Sequence, residues 1–231
     1  MAGHSHAKNV AGKKNAMDKK RAKVFMKIAK IITVAVKEGS SNNPDFNPRL
    51  RLALKMAQNA NVPKDIIKKA IETKIDPNEK VETIVYEGYL DGVAIIVLAH
   101  TCNKNKTAPE IRYIFSRANG SIAEPNSVVF MFNKISKVEC EVPKDKEEDF
   151  LLDSASIGAL DVSGNIAKFS VDMHNQAQVE LEKNWPIIFA GITYEPNTCA
   201  TKGSLEAVEA LIEKLEENES VEACWHNYSD N

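Results

Sequence analysis

The chemistry legible in this sequence is carried by cations. Lys13, Lys14, Lys19, Lys20, Arg21, Lys23, Lys27, Lys30 and Lys37 crowd into one segment. Ammonium groups in such a run match the phosphates of a nucleic acid. Each contact releases counterions and adds affinity without choosing a base sequence. Residues 1–75 hold 17 basic and five acidic side chains, a net of +12, and residues 76–231 hold 13 and 27, a net of −14. The formal charge of −2 therefore conceals a cationic head and an anionic body. A polyanionic partner suits such a head. The head docking on its own body, or an adaptor role in which it binds an acidic protein, are the competing readings.

Other chemistries find less support. His4 and His6 stand two apart, with too few neighbouring ligands for a metal site. They read instead as part of an unstructured leader or as polar contacts to phosphate. Ser5 has no general base arranged with it in sequence. Neither phosphate-cradling glycine motif occurs. Glu139, Glu141, Asp145, Glu147, Glu148 and Asp149 could attract a divalent cation, but such clusters are more often solvated surface. The expectation is a non-enzyme with no catalytic residue, no metal and no cofactor. Cys102, Cys140, Cys199 and Cys224 form no C-x-x-C pair and read as reduced thiols. The longest apolar run, "GVAIIVLA", falls well short of the ~20 residues of a membrane span, and "MAGHSHAKNV" lacks the apolar core of a secretory signal. A cytoplasmic protein with no membrane partner is expected.

Helices must position the cations. Phe25, Ile28, Ile32 and Ala35 recur at steps of three and four, with Val24, Ile31 and Val36 widening the stripe. Lys20, Lys23, Lys27 and Lys30 recur on roughly the opposite side, where Val34 intrudes. Gly39 ends that helix. Asn47-Pro48 supplies a cap and an N1 proline for a second helix, to about Ala60, with Arg51, Lys55 and Gln58 on one face. "PKDIIKKAIET" predicts a third. The connection from Gly39 to Asn47 is too long for a helix-turn-helix. With only Phe25 and Phe46 in the arm, no base-stacking platform is supported.

From Thr83 the period becomes two. "TIVYEGYL" and "VAIIVLA" around Asp91-Gly92 predict a hairpin. A helix over Thr107–Asn119 follows, then a strand "SVVFMF", extended by or paired with Lys134–Glu141. Helices are predicted near Glu147–Ser156 and His174–Asn184, with strands "ALDVSG", "NIAKFSV" and "PIIFAGITYE" around them. A capped helix in "GSLEAVEALIEKLEENES" and a strand "VEACWHNY" close the chain. The fold class expected is α+β multidomain: a three-helix N-terminal domain, then two ferredoxin-like α+β domains, the third inserted in the second. The boundaries expected are 1–78, then 79–136 with 203–231, and 137–202 inserted between those two pieces.

"MAGHS", "DKKRAKVFMKIAKIITVAVKEG", "NPRLRLALKMAQNANVPKDIIKKAI" and "YEGYLDGVAIIV" together resemble the YebC/PmpR family over nearly the whole chain. The resemblance implies three domains around a concave, acidic centre and a bacterial cytoplasmic protein. Family members are described both as DNA-binding transcriptional regulators and as ribosome-associated translation factors, and the mitochondrial relatives are translational activators. The chain departs from the family at His6 and Ala7, where a lysine and an aromatic are usual, and at Ala11 and Gly12, where many members are basic. In "TCNKNKT", Cys102, Lys104 and Lys106 replace an acid and two arginines; if that loop binds a partner bidentately, lysines do so less specifically than arginines.

The candidate contact set is His4, Ser5, Lys8, Lys13, Lys14, Lys19, Lys20, Arg21, Lys23, Lys27, Lys30, Arg49, Arg51 and Lys55. The function expected is regulation of gene expression through nucleic acid, as a DNA-binding transcriptional regulator or, alternatively, an rRNA-bound translation factor. DNA or rRNA, the ribosome and a second copy of the chain are the partners considered.

Overall fold

The helical spacing of the basic segment becomes one helix, α1, at residues 24–37. The computed structural model describes residues 21, 22, 24–37, 39, 41–72 and 81–229. The chain divides into two units, Met1–Asp76 and Pro77–Asn231. In the first, α1 is followed by α2 (Pro48–Asn59) and α3 (Lys64–Ile71). Ile28, Ile32, Ala35 and Val36 of α1 meet Leu50, Ala53 and Ala57 of α2, with Val62 and Ala70 closing the core. Val34 is buried too, so the basic side of α1 is narrower toward its C-terminus than the residue pattern suggests.

Asn47 locks the first two helices together. Its side chain is buried. Nδ2 donates to the carbonyl oxygens of Ala35 (2.8 Å) and Ser41 (2.9 Å), and Oδ1 accepts from the amide of Leu50 at 3.0 Å. One residue therefore caps α2 and grips the C-terminal turn of α1.

The second unit contains two four-stranded antiparallel sheets. The first has order β3-β1-β2-β8, from β1 (Glu82–Leu90), β2 (Val93–Thr101), β3 (Ser121–Ile122) and β8 (Val221–His226). Asp91 and Gly92 turn the hairpin with φ of 51° and 84°, as a type I′ connection requires. α4 (Lys104–Arg117) and α7 (Leu205–Glu216) contribute Ile111, Phe115, Val208, Leu211 and Leu215, which bury Val93, Ile95, Val97 and Ala99. α4 starts three residues ahead of the predicted Thr107, because Asn103 caps it by accepting from the amide of Lys106 at 3.1 Å.

The second sheet has order β5-β6-β4-β7, from β4 (Phe132–Cys140), β5 (Asp161–Ser163), β6 (Ile166–Phe169) and β7 (Ile187–Pro196). With α5 (Glu147–Ile157) and α6 (His174–Glu182) its chain order is β-α-β-β-α-β, the ferredoxin-like arrangement. Phe150, Phe169, Leu181, Trp185 and Ile187 are buried in this segment. Lys168 on β6 bonds Glu195 of β7 (3.0 Å) and Asp161 of β5 (3.1 Å), reaching over β4 so that the contacts span all four strands. Because the strands of this sheet lie in sequence between β3 and β8 of the first, the fold is α+β with one layer inserted in another.

The segment "SVVFMF", expected as a strand, is a 3-10 turn at Val129–Met131 that leads into β4. The cause is Glu87. Its buried carboxylate accepts from the amides of Asn126 (2.6 Å), Val128 (2.6 Å) and Val129 (2.8 Å), leaving those donors unavailable to a ladder. β4 runs unbroken through residues 136 and 137. Ala94 and Ile96 of the first sheet share a buried cluster with Val128, Phe132 and Tyr194.

One titration follows from this packing. Burial pushes the His226 imidazole below its ordinary value, and Glu209 pulls it the other way. His226 Nδ1 faces the amide of Tyr228 at 3.2 Å and accepts its hydrogen, which needs the neutral ring. A folded-state pKa below the unfolded one adds stability above the ordinary histidine value, about 6.5, that is lost as pH falls through the depressed value. Urea unfolding of H226Q is expected to lose less stability than the parent chain between about pH 7 and pH 5. Equal losses in both proteins would exclude this role.

Candidate nucleic-acid interface

The apolar core of the first unit turns several of its cations outward. Arg21 and Lys27 are exposed and Lys30 is half-buried. Arg21 sets its guanidinium over the Phe25 ring, 5.8 Å from the centroid. On α2, Arg49 and Arg51 are exposed and Lys55 is half-buried. Arg51 is partly committed within the protein: Nε donates to the Pro44 carbonyl at 3.2 Å and an Nη donates to that of Asp45 at 3.3 Å. It thereby braces the loop that carries Phe46, whose ring is 79% exposed. On α3, Lys64, Lys68 and Lys69 are exposed, and Lys68 pairs with Glu72 at 3.8 Å.

His4, Ser5, Lys8, Lys13, Lys14, Lys19, Lys20 and Lys23 lie outside the described residues. The remaining six candidates sit on α1, on α2 and, for Arg21, at a helical residue ahead of position 24. By helical spacing Arg51 and Lys55 share one face of α2, and Arg49 lies on the other side of its buried stripe.

Two features escaped the sequence reading. The connection between α2 and α3, residues 60–63, is four residues long and passes through Asn61 at φ 54°. That length suits a helix-turn-helix, whereas the sequence test applied only to the longer connection before it. The second feature is the outer side of α4, where Arg112, Tyr113 and Arg117 are exposed. The apolar stripe of the segment predicts only its packed side. The residues opposite Ile111 and Phe115 were the available signal.

Among the described residues, no group of three or more His, Cys, Asp or Glu side chains is placed to hold a metal ion. No helix among them is long and apolar enough to cross a membrane.

Comparison with known proteins adds a separate line. The profile described as the TACO1/YebC protein N-terminal domain matches residues 5–75. The profile for the TACO1/YebC second and third domain matches residues 81–228. A "probable transcriptional regulatory protein" of Fervidobacterium nodosum is 39% identical, across 99% of this chain and 94% of its own length. A Bacillus subtilis protein with the same description is 35% identical across 99% of both chains. The crystal structure of a conserved hypothetical protein from Aquifex aeolicus superposes with a TM-score of 0.71. It is 32% identical and the match covers 91% of this chain and 90% of that one. Profile matches over both units, and relatives alike along the full length, place this chain in the TACO1/YebC family.

Proposed function

We propose that this chain is a cytoplasmic, non-enzymatic regulator of gene expression that grips nucleic acid through its N-terminal unit. The observation that carries the reading is the concentration of cations there, with Arg21, Lys27, Arg49, Lys64, Lys68 and Lys69 at the surface of an apolar helical core. Phosphates are the ligand for such a surface, and the acidic second unit shapes target choice, self-association or a protein contact. DNA-bound transcriptional regulation is the first reading. The descriptions of the relatives support it, and so does the four-residue connection between α2 and α3. Division into domains at 1–78, 79–136 with 203–231, and 137–202 belongs to the same proposal.

Binding to rRNA as a translation factor is the second reading. A run of cations meets either backbone alike, and α3, with eight residues, is a short element for reading a major groove. Ultraviolet crosslinking in cells, followed by sequencing of the bound nucleic acid, tests the proposal. Enrichment of promoter DNA is expected under the first reading and of rRNA under the second. Recovery of neither, with an acidic protein captured instead, overturns both.

A further inference from the structure

The second unit is acidic, yet one of its helices is not. α4 carries Lys104, Lys106, Arg112 and Arg117 against Glu110 alone. Thr107, Ile111 and Phe115 face the core, so helical spacing turns Lys106, Arg112, Tyr113, Ser116 and Arg117 outward. Lys104 pairs with Glu82, and Lys106 approaches Glu110 at 3.9 Å. Arg112 and Arg117 form no ion pair among the described residues. By helical spacing Tyr113 falls between these two arginines on the outer face, and it is 64% exposed. In a unit so rich in carboxylates, two unpaired arginines flanking a projecting aromatic ring are a specific departure.

We propose that the outer face of α4 is a second binding site, for a single-stranded nucleic acid. It rests on the reading of the N-terminal unit as the principal phosphate grip. Each arginine presents a planar fork of donors that matches phosphate oxygens in pairs. The Tyr113 ring offers a platform for one base, and only an unpaired base has a face to lay on it. A duplex keeps its bases stacked, so it gains from the charge on this face and nothing from the ring. An acidic peptide would use the arginines and leave the ring idle. Lys106 lies on the same side, about 16 Å along the helix from Arg117, and extends the track for a backbone. The surrounding carboxylates weaken long-range attraction, so the face relies on short-range contacts, arginine with phosphate and ring with base.

The test uses the full chain and its variants R112E/R117E, Y113A and Y113F. Fluorescence anisotropy would follow an unstructured RNA, a DNA strand of the same sequence and a DNA duplex of random sequence. Y113A and R112E/R117E are each expected to weaken single-strand binding about tenfold, and Y113F to keep it, because the aromatic face is unchanged. Duplex binding by Y113A should stay within about twofold of the parent. A stronger effect on RNA than on DNA, or the reverse, identifies which strand the face takes. Unchanged single-strand affinity in Y113A overturns the proposal. So does an equal fall for strand and duplex, which would leave general charge as the only effect. So does an acidic peptide that binds the parent and not R112E/R117E while every variant holds the RNA equally well. Neutralising Lys27, Lys30, Lys64 and Lys68 tests the first unit separately: if duplex binding survives that change while Y113A still fails on single strands, the α4 site stands and the N-terminal reading falls.

Discussion

Deleting residues 1–17 and replacing Lys20, Lys23, Lys27 and Lys30 with glutamine is expected to abolish measurable binding to heparin and to random duplex. The deletion removes Lys8, Lys13 and Lys14, so seven cations are lost in all. Each phosphate contact contributes a slope of about −0.9 in log affinity against log salt, so losing seven flattens the salt dependence by about six. At moderate salt that is a loss on the order of a thousandfold or more. Lys27 is exposed and Lys30 half-buried, so glutamine at those positions leaves the Ile28, Ile32 and Ala35 core of the first unit intact. The two sheets lie outside the altered segment and should unfold as before. Titration at several salt concentrations, with thermal unfolding as the control, measures both halves of this expectation. A variant that binds with undiminished affinity and slope would contradict the assignment of the cations to phosphates.

Asn47→Ala is expected to cost the first unit about 2–4 kcal/mol. Loss of Oδ1 uncaps the Leu50 amide, and loss of Nδ2 leaves the Ser41 carbonyl without that donor. The Ala35 carbonyl fares better, since it also accepts from the Gly39 amide at 3.0 Å. For a unit of this size, a loss of about 3 kcal/mol lowers the melting temperature by roughly 12–24 °C. Asn47→Asp should do no better than alanine, because a carboxylate would face two carbonyl oxygens. Asn47→Ser should restore the capping share, about 1 kcal/mol. Gly39 supplies an internal check. A Cβ there would clash with the Asn47 side-chain amide, so Gly39→Ala is destabilising in the parent chain. In the Asn47→Ala background that clash is gone, and the two costs should fall short of adding. Strict additivity would mean that the amide and the glycine do not form one lock. Because α1 and α2 present the cations, a melted first unit should also bind nucleic acid more weakly.

Much of this architecture was legible from residue order. The three amphipathic helices, the Asp91-Gly92 hairpin and the capped C-terminal helix each announced themselves through local rules of period, cap and turn. "SVVFMF" misled because its β-branched and aromatic composition suits a strand, and local composition carries no record of Glu87, some forty residues upstream, taking its amides. α4 was located by its apolar stripe, which is a statement about packing. Its outer face became visible only once the packed side was known and the ion pairs of Lys104 and Lys106 could be separated from Arg112 and Arg117, which form none among the described residues.

Residue order carried the charge division, most of the succession of helices and strands and the resemblance to a known family. All three are properties of residue type and near-neighbour spacing. Tertiary structure alone decided which strand β8 pairs with, β2, that Asn47 ties two helices together and that Glu87 turns the chain ahead of β4. Those outcomes depend on groups distant in sequence finding the hydrogen-bond partners that burial obliges them to have, and spacing along the chain does not encode which distant partner that is.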